Sequence, residues 1–338
     1  MSLPRVARAL CLAGAILAPG ARHAAGAQAA SSPGVQGAPR ADQTDRQRRT
    51  LDLGSAGALD LSTLSGDITV TAGTGPATLE VIRRSRGRTD AQAKQALDRV
   101  TVDVAERPGR VTVTTLSPGK DGYASADVQV SYVVTAPPST ALIAHTIAGD
   151  ISISGIHGEL RASTGSGSIA LANVTRISEA HSVEGTVTIT DTQTDGSVQA
   201  DSIGGDIVMA RVKARQVNAS SITGKVTVDD TDCEQAVLKS LFGTIEYRGL
   251  LAPDGHYELR TQSGSVHFEP TGTPSFDLDA RSFSGRIQVD PALHLQASDG
   301  PSRGFTGAAG NTLIGTVGAG RATVVVVTFS GNVTIGRR

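Results

Sequence analysis

Three basic residues recur at a constant spacing in the C-terminal third of the chain. Lys239, Arg260 and Arg281 follow one another at intervals of 21 residues. If this interval equals one structural repeat, the cations stack into a ladder that could bind an anionic glycan or a phosphate polymer. Glu258 and Asp279 stand two positions before two of these cations. Neutralisation along each strand is therefore the favoured interpretation, with a ligand-facing ladder as the alternative.

Hydroxyl side chains form the most regular polar pattern, three residues before a recurring glycine. They are Thr146, Thr164, Ser182, Ser202, Ser221, Ser240, Thr261 and Ser282, and Thr63 and Thr328 continue the series. Facing outward, such an array could bind a ligand, as in ice-binding solenoids. Facing inward, each hydroxyl would bond to the hydroxyl or backbone of the neighbouring repeat. Period-two counting places them on the same face as a series of alanines, so we predict an internal structural ladder.

Acidic residues of the repeat could serve catalysis or calcium binding. The position after the glycine holds Asp150, Ser168, Thr186, Asp206, Lys225, Thr244, Ser265 and Arg286. Glycosidic cleavage needs two carboxyl groups near one bond, and calcium needs clustered oxygens. From residue 149 onward, no two successive repeats both place an acid here, and Asp206 beside Lys225 is interpreted as a surface ion pair. The histidines lack metal-ligand spacing, and Cys233 has no partner cysteine outside the N-terminal leader. We predict no catalytic, metal or cofactor-binding residues.

A repeat of about 20 residues positions these side chains. One glycine marks each unit: Gly149, Gly167, Gly185, Gly205, Gly224, Gly243, Gly264 and Gly285. Aliphatic residues two and four positions after the glycine, and a small or aliphatic residue five before it, follow the alternation of a strand. Such a period is typical of a solenoid, whose stacked coils bury a face that no single coil can bury. Gly66 shows the motif once more, and Gly331 adds a further unit 46 residues after Gly285.

The residue two positions before the glycine is apolar in most units, as at Ile147, Val183, Ile203, Ile222, Leu241 and Phe283. We therefore expect the alternation to slip phase between the hydroxyl and this residue, just before a glycine corner. The predicted fold is all-β: a parallel β-solenoid (β-helix) of roughly 20-residue coils, preceded by a small strand-rich cap with one short helix. Thr89 is the expected N-cap of that helix, over residues 90–98.

Composition and the N-terminus complete the expected organisation. The chain has 31 Lys+Arg against 32 Asp+Glu, a balance that does not point to nucleic acid. With 39 Gly, no Trp and 3% aromatic residues, its core should be narrow and built from short aliphatic strands. Basic Arg5 and Arg8, a short apolar stretch and small residues near Ala27 predict a signal peptide over residues 1–27. We then expect a disordered linker over 28–49, the cap over 50–140 and the solenoid over 141–338, with no transmembrane segment in the mature chain.

A pattern of Ser/Thr-x-x-Gly-Asp-Ile-x-Val recurs at residues 63–70 and 146–153. On this motif, and on the strand-rich segment at the start, residues 50–338 resemble the bacterial putative-adhesin family, a domain of unknown function numbered 4097. The resemblance implies an exported, envelope-associated β-repeat protein and carries over no catalytic residues. The later units depart from the pattern, since other residues replace the aspartate after the glycine.

Two functions are expected from these observations. The favoured one is a non-catalytic, adhesin-like scaffold or binding module in the periplasm, at the cell surface or outside the cell, with glycans or envelope and surface proteins as partners. The alternative is a β-helix carbohydrate-active enzyme of the polysaccharide lyase or hydrolase type. A solvent-facing cleft with several acids within about 10 Å of one another would favour the enzyme. The oligomeric state stays open.

Overall fold

The computed structural model describes residues 41–54, 57–117, 128–297 and 311–336. Within these residues the chain is all-β with one α-helix, and its 24 strands belong to one hydrogen-bonded sheet. The predicted signal peptide lies outside the described residues. Within them, no helix is long and apolar enough to cross a membrane.

The strands are, in chain order, β1 (Ala41–Leu51), β2 (Ala58–Ser65), β3 (Ile68–Ala72), β4 (Ala77–Gly87), β5 (Thr101–Arg107), β6 (Arg110–Leu116), β7 (Val128–Ala136), β8 (Ala141–Ala148), β9 (Ile151–Ser154), β10 (Glu159–Ser166), β11 (Ile169–Ala172), β12 (Arg176–Glu184), β13 (Val187–Gln193), β14 (Ser197–Ser202), β15 (Ile207–Ser221), β16 (Val226–Ser240), β17 (Ile245–Thr261), β18 (Val266–Pro270), β19 (Phe276–Ser282), β20 (Ile287–Val289), β21 (Gln296–Ala297), β22 (Asn311–Val317), β23 (Ala322–Thr328) and β24 (Val333–Ile335). Helix α1 spans Asp90–Arg99, and a short 3-10 helix spans Pro291–Leu293.

The repeating units pair with one another in parallel and in register. Before the glycine, Thr164 of β10 pairs with Thr146 of β8 on one side and Ser182 of β12 on the other. After the glycine, Ile169 of β11 lies between strands β9 and β13 in the same way. Like residues of neighbouring units therefore form columns, as the period predicts.

The core consists of the inward columns. The small or aliphatic residues five positions before the glycine are at most 2% exposed: Ala144, Ala162, Ala180, Ala200, Ala219, Leu238, Leu259 and Ala280. The later units are wider than the predicted narrow core, since they enclose a cluster of rings. Tyr247 stacks on Phe268 with centroids 5.2 Å apart, and Tyr257 and Phe276 meet this pair edge-on. Those units are also longer, which gives the interior room for rings.

The alternation does not slip phase where the sequence suggested. The hydroxyl column is at most 6% exposed, whereas the apolar residues directly after seven of these hydroxyls are 37–54% exposed: Ile147, Val183, Ile203, Ile222, Leu241, Phe283 and Phe329. Strand alternation thus continues through this pair, and the phase changes in the turn that contains the glycine. The expectation was wrong because an apolar residue type does not by itself indicate burial in a strand.

The glycine column is required by close backbone approach. A Cβ atom at Gly224 would lie 1.9 Å from the carbonyl oxygen of Gly205 in the neighbouring unit, and the same clash recurs along the column. The first four glycines, Gly66, Gly149, Gly167 and Gly185, also have φ between +131° and +150°. The later ones do not, so steric contact between units is the constraint they share.

The units do not stack in chain order at the C-terminal end. Strand β23 pairs in parallel with β17 on one side and β19 on the other, and β24 lies likewise between β18 and β20. The unit of Gly331 is therefore inserted between those of Gly264 and Gly285, although a simple continuation of the repeat would place it last. Strand β22, which precedes the inserted strand β23 in the chain, runs antiparallel along the other edge of β19.

The N-terminal segment continues the same ladder. Strand β2 pairs in parallel with β8, so the unit of Gly66 is the direct neighbour of the unit of Gly149 across the expected boundary at residue 141. On its other side β2 pairs with β6, and β3 pairs with β7. Strand β4 pairs antiparallel with β7, and β5 pairs antiparallel with β6, so β4 and β5 cover this end. Helix α1 packs on β4, where Ser85 donates to the carbonyl of Ala93 at 2.7 Å, and Thr89 caps the helix as predicted.

Strand β1 lies where composition predicts a linker. It pairs antiparallel with β4 over its whole length, so residues 41–49 of the predicted linker form a strand, and the rest of that linker, residues 28–40, lies outside the described residues. Its sequence shows no apolar alternation because charged side chains join the strands: Arg83 pairs with Asp45, and Arg48 contacts Glu80 at 3.1 Å. Ion pairs of this kind leave no signal in hydrophobic periodicity.

Candidate binding groove

The exposed apolar residues two positions before the glycine form a column along the outside of the ladder. We call this the outer apolar column: Ile147, Val183, Ile203, Ile222, Leu241, Phe329 and Phe283, in order of stacking. Hydrogen bonds between the backbones of neighbouring turns fix its spacing. The backbone N–H of Thr223 donates to the carbonyl of Ile203 at 3.1 Å, and that of Phe242 donates to the carbonyl of Ile222 at 2.9 Å. Gly165 and Gln262 take this position in two intervening units.

Two phenylalanines close the C-terminal end of the outer apolar column. Phe283 and Phe329 stack with centroids 4.6 Å apart and an interplanar angle of 5°. They are 46 positions apart in the chain and meet because the unit of Gly331 is inserted beside that of Gly285. Each ring covers one face of the other, so two of the four aromatic faces of the pair are closed to a ligand.

A groove of about 920 Å³ lies over this part of the column. Its apolar lining comprises Ile222, Leu241, Phe283, Phe329, Val325 and Val327. Its polar lining includes Lys239, Arg260, Arg281, Gln262, Asn311 and Thr312. Among the described residues that line it, Asp279 is the one carboxylate. Its oxygens accept hydrogen bonds from Arg281 at 2.6 and 2.8 Å.

The structure brings all three residues of the expected basic ladder to this groove. Lys239 pairs in register with Arg260, but Val327 of the inserted unit lies between Arg260 and Arg281. The two arginines form ion pairs with Glu258 and Asp279, two positions earlier on their own strands. Within the described part of the chain, no carboxylate lies within ion-pair distance of Lys239.

The hydroxyl column faces the core and links neighbouring units. From Thr146 onward, each hydroxyl donates to the carbonyl of the glycine in the preceding unit of the stack, for example Ser182 to Gly167 at 2.9 Å and Thr261 to Gly243 at 3.1 Å. Thr63 donates instead to the carbonyl of Val130 at 2.9 Å. The inserted unit takes part, since Ser282 donates to Gly331 and Thr328 to Gly264. These hydroxyls are buried and bonded to neighbouring backbone, which agrees with the predicted internal ladder. Five of the residues also border the groove: Ser221, Ser240, Thr261, Ser282 and Thr328.

The aspartates after the glycine also act between units. Asp67 and Asp150 lie in adjacent units because the unit of Gly66 joins the ladder, so two neighbours do share an acid at this position once the stack is extended before residue 149. An oxygen of Asp67 accepts the backbone N–H of Asp150 at 3.0 Å, and Asp206 accepts that of Lys225 at 2.7 Å. The ammonium of Lys225 pairs with Glu246 at 2.7 Å, so the predicted pair with Asp206 is replaced by a backbone contact. The described residues include no cluster of potential metal ligands.

Cys233 lies in the core beside the aromatic cluster. Burial raises the pKa of its thiol to about 12. The hydroxyl of Tyr257 donates to the carbonyl of Cys233 at 2.6 Å and accepts the N–H of Ala252 at 2.8 Å. Burial also raises the pKa of Tyr257 and Tyr247. A thiol held neutral in this way is a poor nucleophile.

A family model described as Toastrack DUF4097 matches the sequence twice, over residues 50–246 and 197–336. The chain belongs to the Toastrack family. The two matches overlap and together cover the ladder and both of its ends, which confirms the resemblance drawn from the glycine motif. The search of curated proteins found no match.

Solved structures similar to this Toastrack protein share little sequence with it. A putative cell adhesion protein from Clostridium sporogenes is 9% identical, with 88% of this chain and 100% of that chain covered and a TM-score of 0.22. A putative lipid binding protein from Parabacteroides distasonis is 13% identical, with 66% and 94% covered and a TM-score of 0.38. A putative adhesin from Bacteroides fragilis is 16% identical, with 68% and 97% covered and a TM-score of 0.37. TM-scores this low carry no argument about function.

Proposed function

We propose that this Toastrack protein is an exported, non-catalytic binding scaffold of the cell envelope or surface, adhesin-like in role, and that the groove is its binding surface. The observation that carries the proposal is the outer apolar column. Its residues keep large apolar side chains in solvent at positions where strand alternation would favour polar ones.

The proposed architecture is a parallel β-solenoid whose coils are the units of roughly 20 residues. In-register parallel pairing on both sides of the glycine supports it. So do the hydroxyl-to-carbonyl bonds between neighbouring units. Such a stack holds surface residues at fixed spacing, and a preformed surface loses little conformational entropy when a ligand binds.

Exposed apolar columns favour a binding role on energetic grounds. Burial of a Leu, Ile or Phe side chain contributes about 1.5–3 kcal/mol, so Leu241, Phe283 and Phe329 together offer a large driving force to a ligand. Contiguous exposed apolar patches mark interaction sites more often than isolated residues do. The cations at the rim add electrostatic selectivity to this apolar contact.

Binding can be tested with two matched variants. The purified full chain is immobilised and probed with envelope fractions of the source bacterium and with a glycan array. We expect saturable binding that is lost in Ile222→Asp but retained in Ile143→Asp. These isoleucines are 42% and 40% exposed, and Ile143 lies outside the groove. Equal binding by both variants would exclude the groove as the binding surface.

Export can be tested independently of binding. The chain is expressed in a bacterium with its own leader, and the N-terminus of the exported form is sequenced. We expect cleavage within the small-residue stretch at residues 25–29, together with recovery outside the cytoplasm. An uncleaved protein retained in the cytoplasm would overturn the envelope assignment.

A further inference from the structure

The apolar floor of the groove runs along the stacking direction of the units. Ile222, Leu241, Phe329 and Phe283 come from four units, with Gln262 of a fifth between Leu241 and Phe329. Five successive units separated by about 4.8 Å give a path of roughly 19 Å. A ligand that uses the whole floor must therefore be long, narrow and apolar.

The shape of the floor suits a methylene chain better than a sugar. A pyranose ring packs on an open aromatic face, but Phe283 and Phe329 cover one face of each other. Ile222 and Leu241 offer aliphatic surface, which has no face for stacking. The groove volume of about 920 Å³ also lies near the upper end of the range of roughly 300–1,000 Å³ for small-molecule pockets.

Among the described charged residues around the groove, one cation is in excess. Lys239, Arg260 and Arg281 are balanced in part by Glu258 and Asp279, each of which pairs with an arginine. Lys239 stands on the wall beside Leu241 without a carboxylate partner among the described residues. One anionic group at the end of an apolar chain would complement this arrangement.

We infer that the groove binds an amphiphile with a single acyl chain and an anionic headgroup. The chain lies along the outer apolar column between Ile222 and Phe283, and the headgroup contacts Lys239. This inference rests on the proposed function and names the ligand class for the same surface. Each further methylene buried on the floor should tighten binding roughly fourfold, which favours long chains over short ones.

The test measures binding of the fluorescent fatty acid dansylundecanoate to the purified full chain below its micelle concentration. We expect saturable binding that palmitate displaces and that neither hexadecanol, which lacks the charge, nor an oligogalacturonate, which lacks the chain, displaces comparably. Displacement by hexadecanol as strong as by palmitate would overturn the role of Lys239. Displacement by the oligogalacturonate alone would overturn the acyl ligand.

Matched variants separate the groove from general surface adsorption. Phe329→Ala should weaken binding roughly tenfold, since one apolar anchor is lost. Phe242→Ala should leave it unchanged, because Phe242 is 56% exposed but does not line the groove. Lys239→Glu should weaken binding of palmitate, and Lys94→Glu on α1 should not. If Phe329→Ala unfolds, Leu241→Ser tests the same apolar floor of the groove.

Equal losses in Phe329→Ala and Phe242→Ala would show nonspecific adsorption and overturn the inference. Failure of dansylundecanoate to bind would also overturn it. The proposed function would survive either result if envelope or glycan binding still depended on Ile222 rather than Ile143. Loss of that dependence as well would contradict both, so the two failures are distinguishable.

Discussion

Ser240 and Gly224 lie 16 residues apart in the chain and are joined by a hydrogen bond of 3.1 Å from the serine hydroxyl to the glycine carbonyl. The same hydroxyl accepts the N–H of Gly243, in its own unit, at 2.9 Å. A single buried oxygen thus satisfies backbone groups of two neighbouring units. The link recurs along the ladder, which explains why this position holds Ser or Thr in every unit.

Removal of this hydroxyl should destabilise the ladder. Ser240→Ala leaves a buried carbonyl and a buried N–H without their partner, so we expect a loss of about 1–3 kcal/mol in the free energy of unfolding. Ser240→Thr is the control, since the threonine of the next unit, Thr261, makes the same kind of bond to the carbonyl of Gly243. Urea unfolding measures both. A loss as large in the threonine variant would show that side-chain volume matters here rather than the hydrogen bond.

A methyl group in the glycine column should be poorly tolerated. In Gly224→Ala the new Cβ would lie 1.9 Å from the carbonyl oxygen of Gly205, and the neighbouring backbone is itself held in the ladder. We expect destabilisation of about 3 kcal/mol or more, the upper end for overpacked positions. Gly75→Ala is the control, because no atom lies within 4 Å of its added Cβ. A Gly224→Ala protein with wild-type thermal stability would contradict the close approach.

The repeat was readable from the sequence because a ladder imposes the same demands on every unit. Glycine contacts, hydroxyl bonds and inward aliphatic pairs each require one residue type at a fixed offset. Helix α1 was predictable from its N-cap residue, Thr89, and the helix-forming residues that follow it. The insertion of the unit of Gly331 was not readable, because a period gives the length of a unit and not its place in the stack. Strand β1 was missed since ion pairs and backbone bonds hold it instead of apolar alternation.

The groove could not be predicted because the residues of its apolar floor give two conflicting signals. Strand alternation, counted from the buried hydroxyl, places Leu241 and its equivalents outside, whereas their apolar type favours burial. The residue types alone do not decide between these two signals. The basic residues at the rim were found from their spacing alone. Their separation by Val327, and the stacking of Phe283 on Phe329, depend on the order of the units and could not be found from a period.

Cys233 should be protected from alkylation in the folded protein. Its thiol pKa is raised by burial from 9.0 to about 12, which lowers the thiolate fraction roughly 10³-fold at neutral pH. In a Cys11→Ser background, iodoacetamide at pH 8 should therefore react far more slowly with native protein than with protein in urea. Equal rates in the two states would contradict the burial of Cys233.

The same pKa shift should make the fold sensitive to alkali. The folded state favours the neutral thiol, so this contribution to stability is complete below the usual thiol pKa of 9.0 and is lost as the pH rises from there toward 12. Tyr132, whose pKa burial raises to about 12, adds to the effect at the upper end of this range. The free energy of unfolding, measured from pH 7 to 11, should fall above pH 9. A flat profile in this range would contradict the prediction.

The proposed binding role depends most on the outward orientation of the outer apolar column. Leu238, on strand β16, and Leu241, in the turn that follows it, test this orientation. Leu238 is 0% exposed and Leu241 is 39% exposed. A buried aspartate is strongly destabilising and an exposed one is not, so Leu238→Asp should unfold the protein while Leu241→Asp keeps the wild-type melting temperature. The decisive measurement is binding of folded Leu241→Asp to envelope fractions. We predict that its binding is lost with the fold intact, and wild-type binding by this variant would contradict the account.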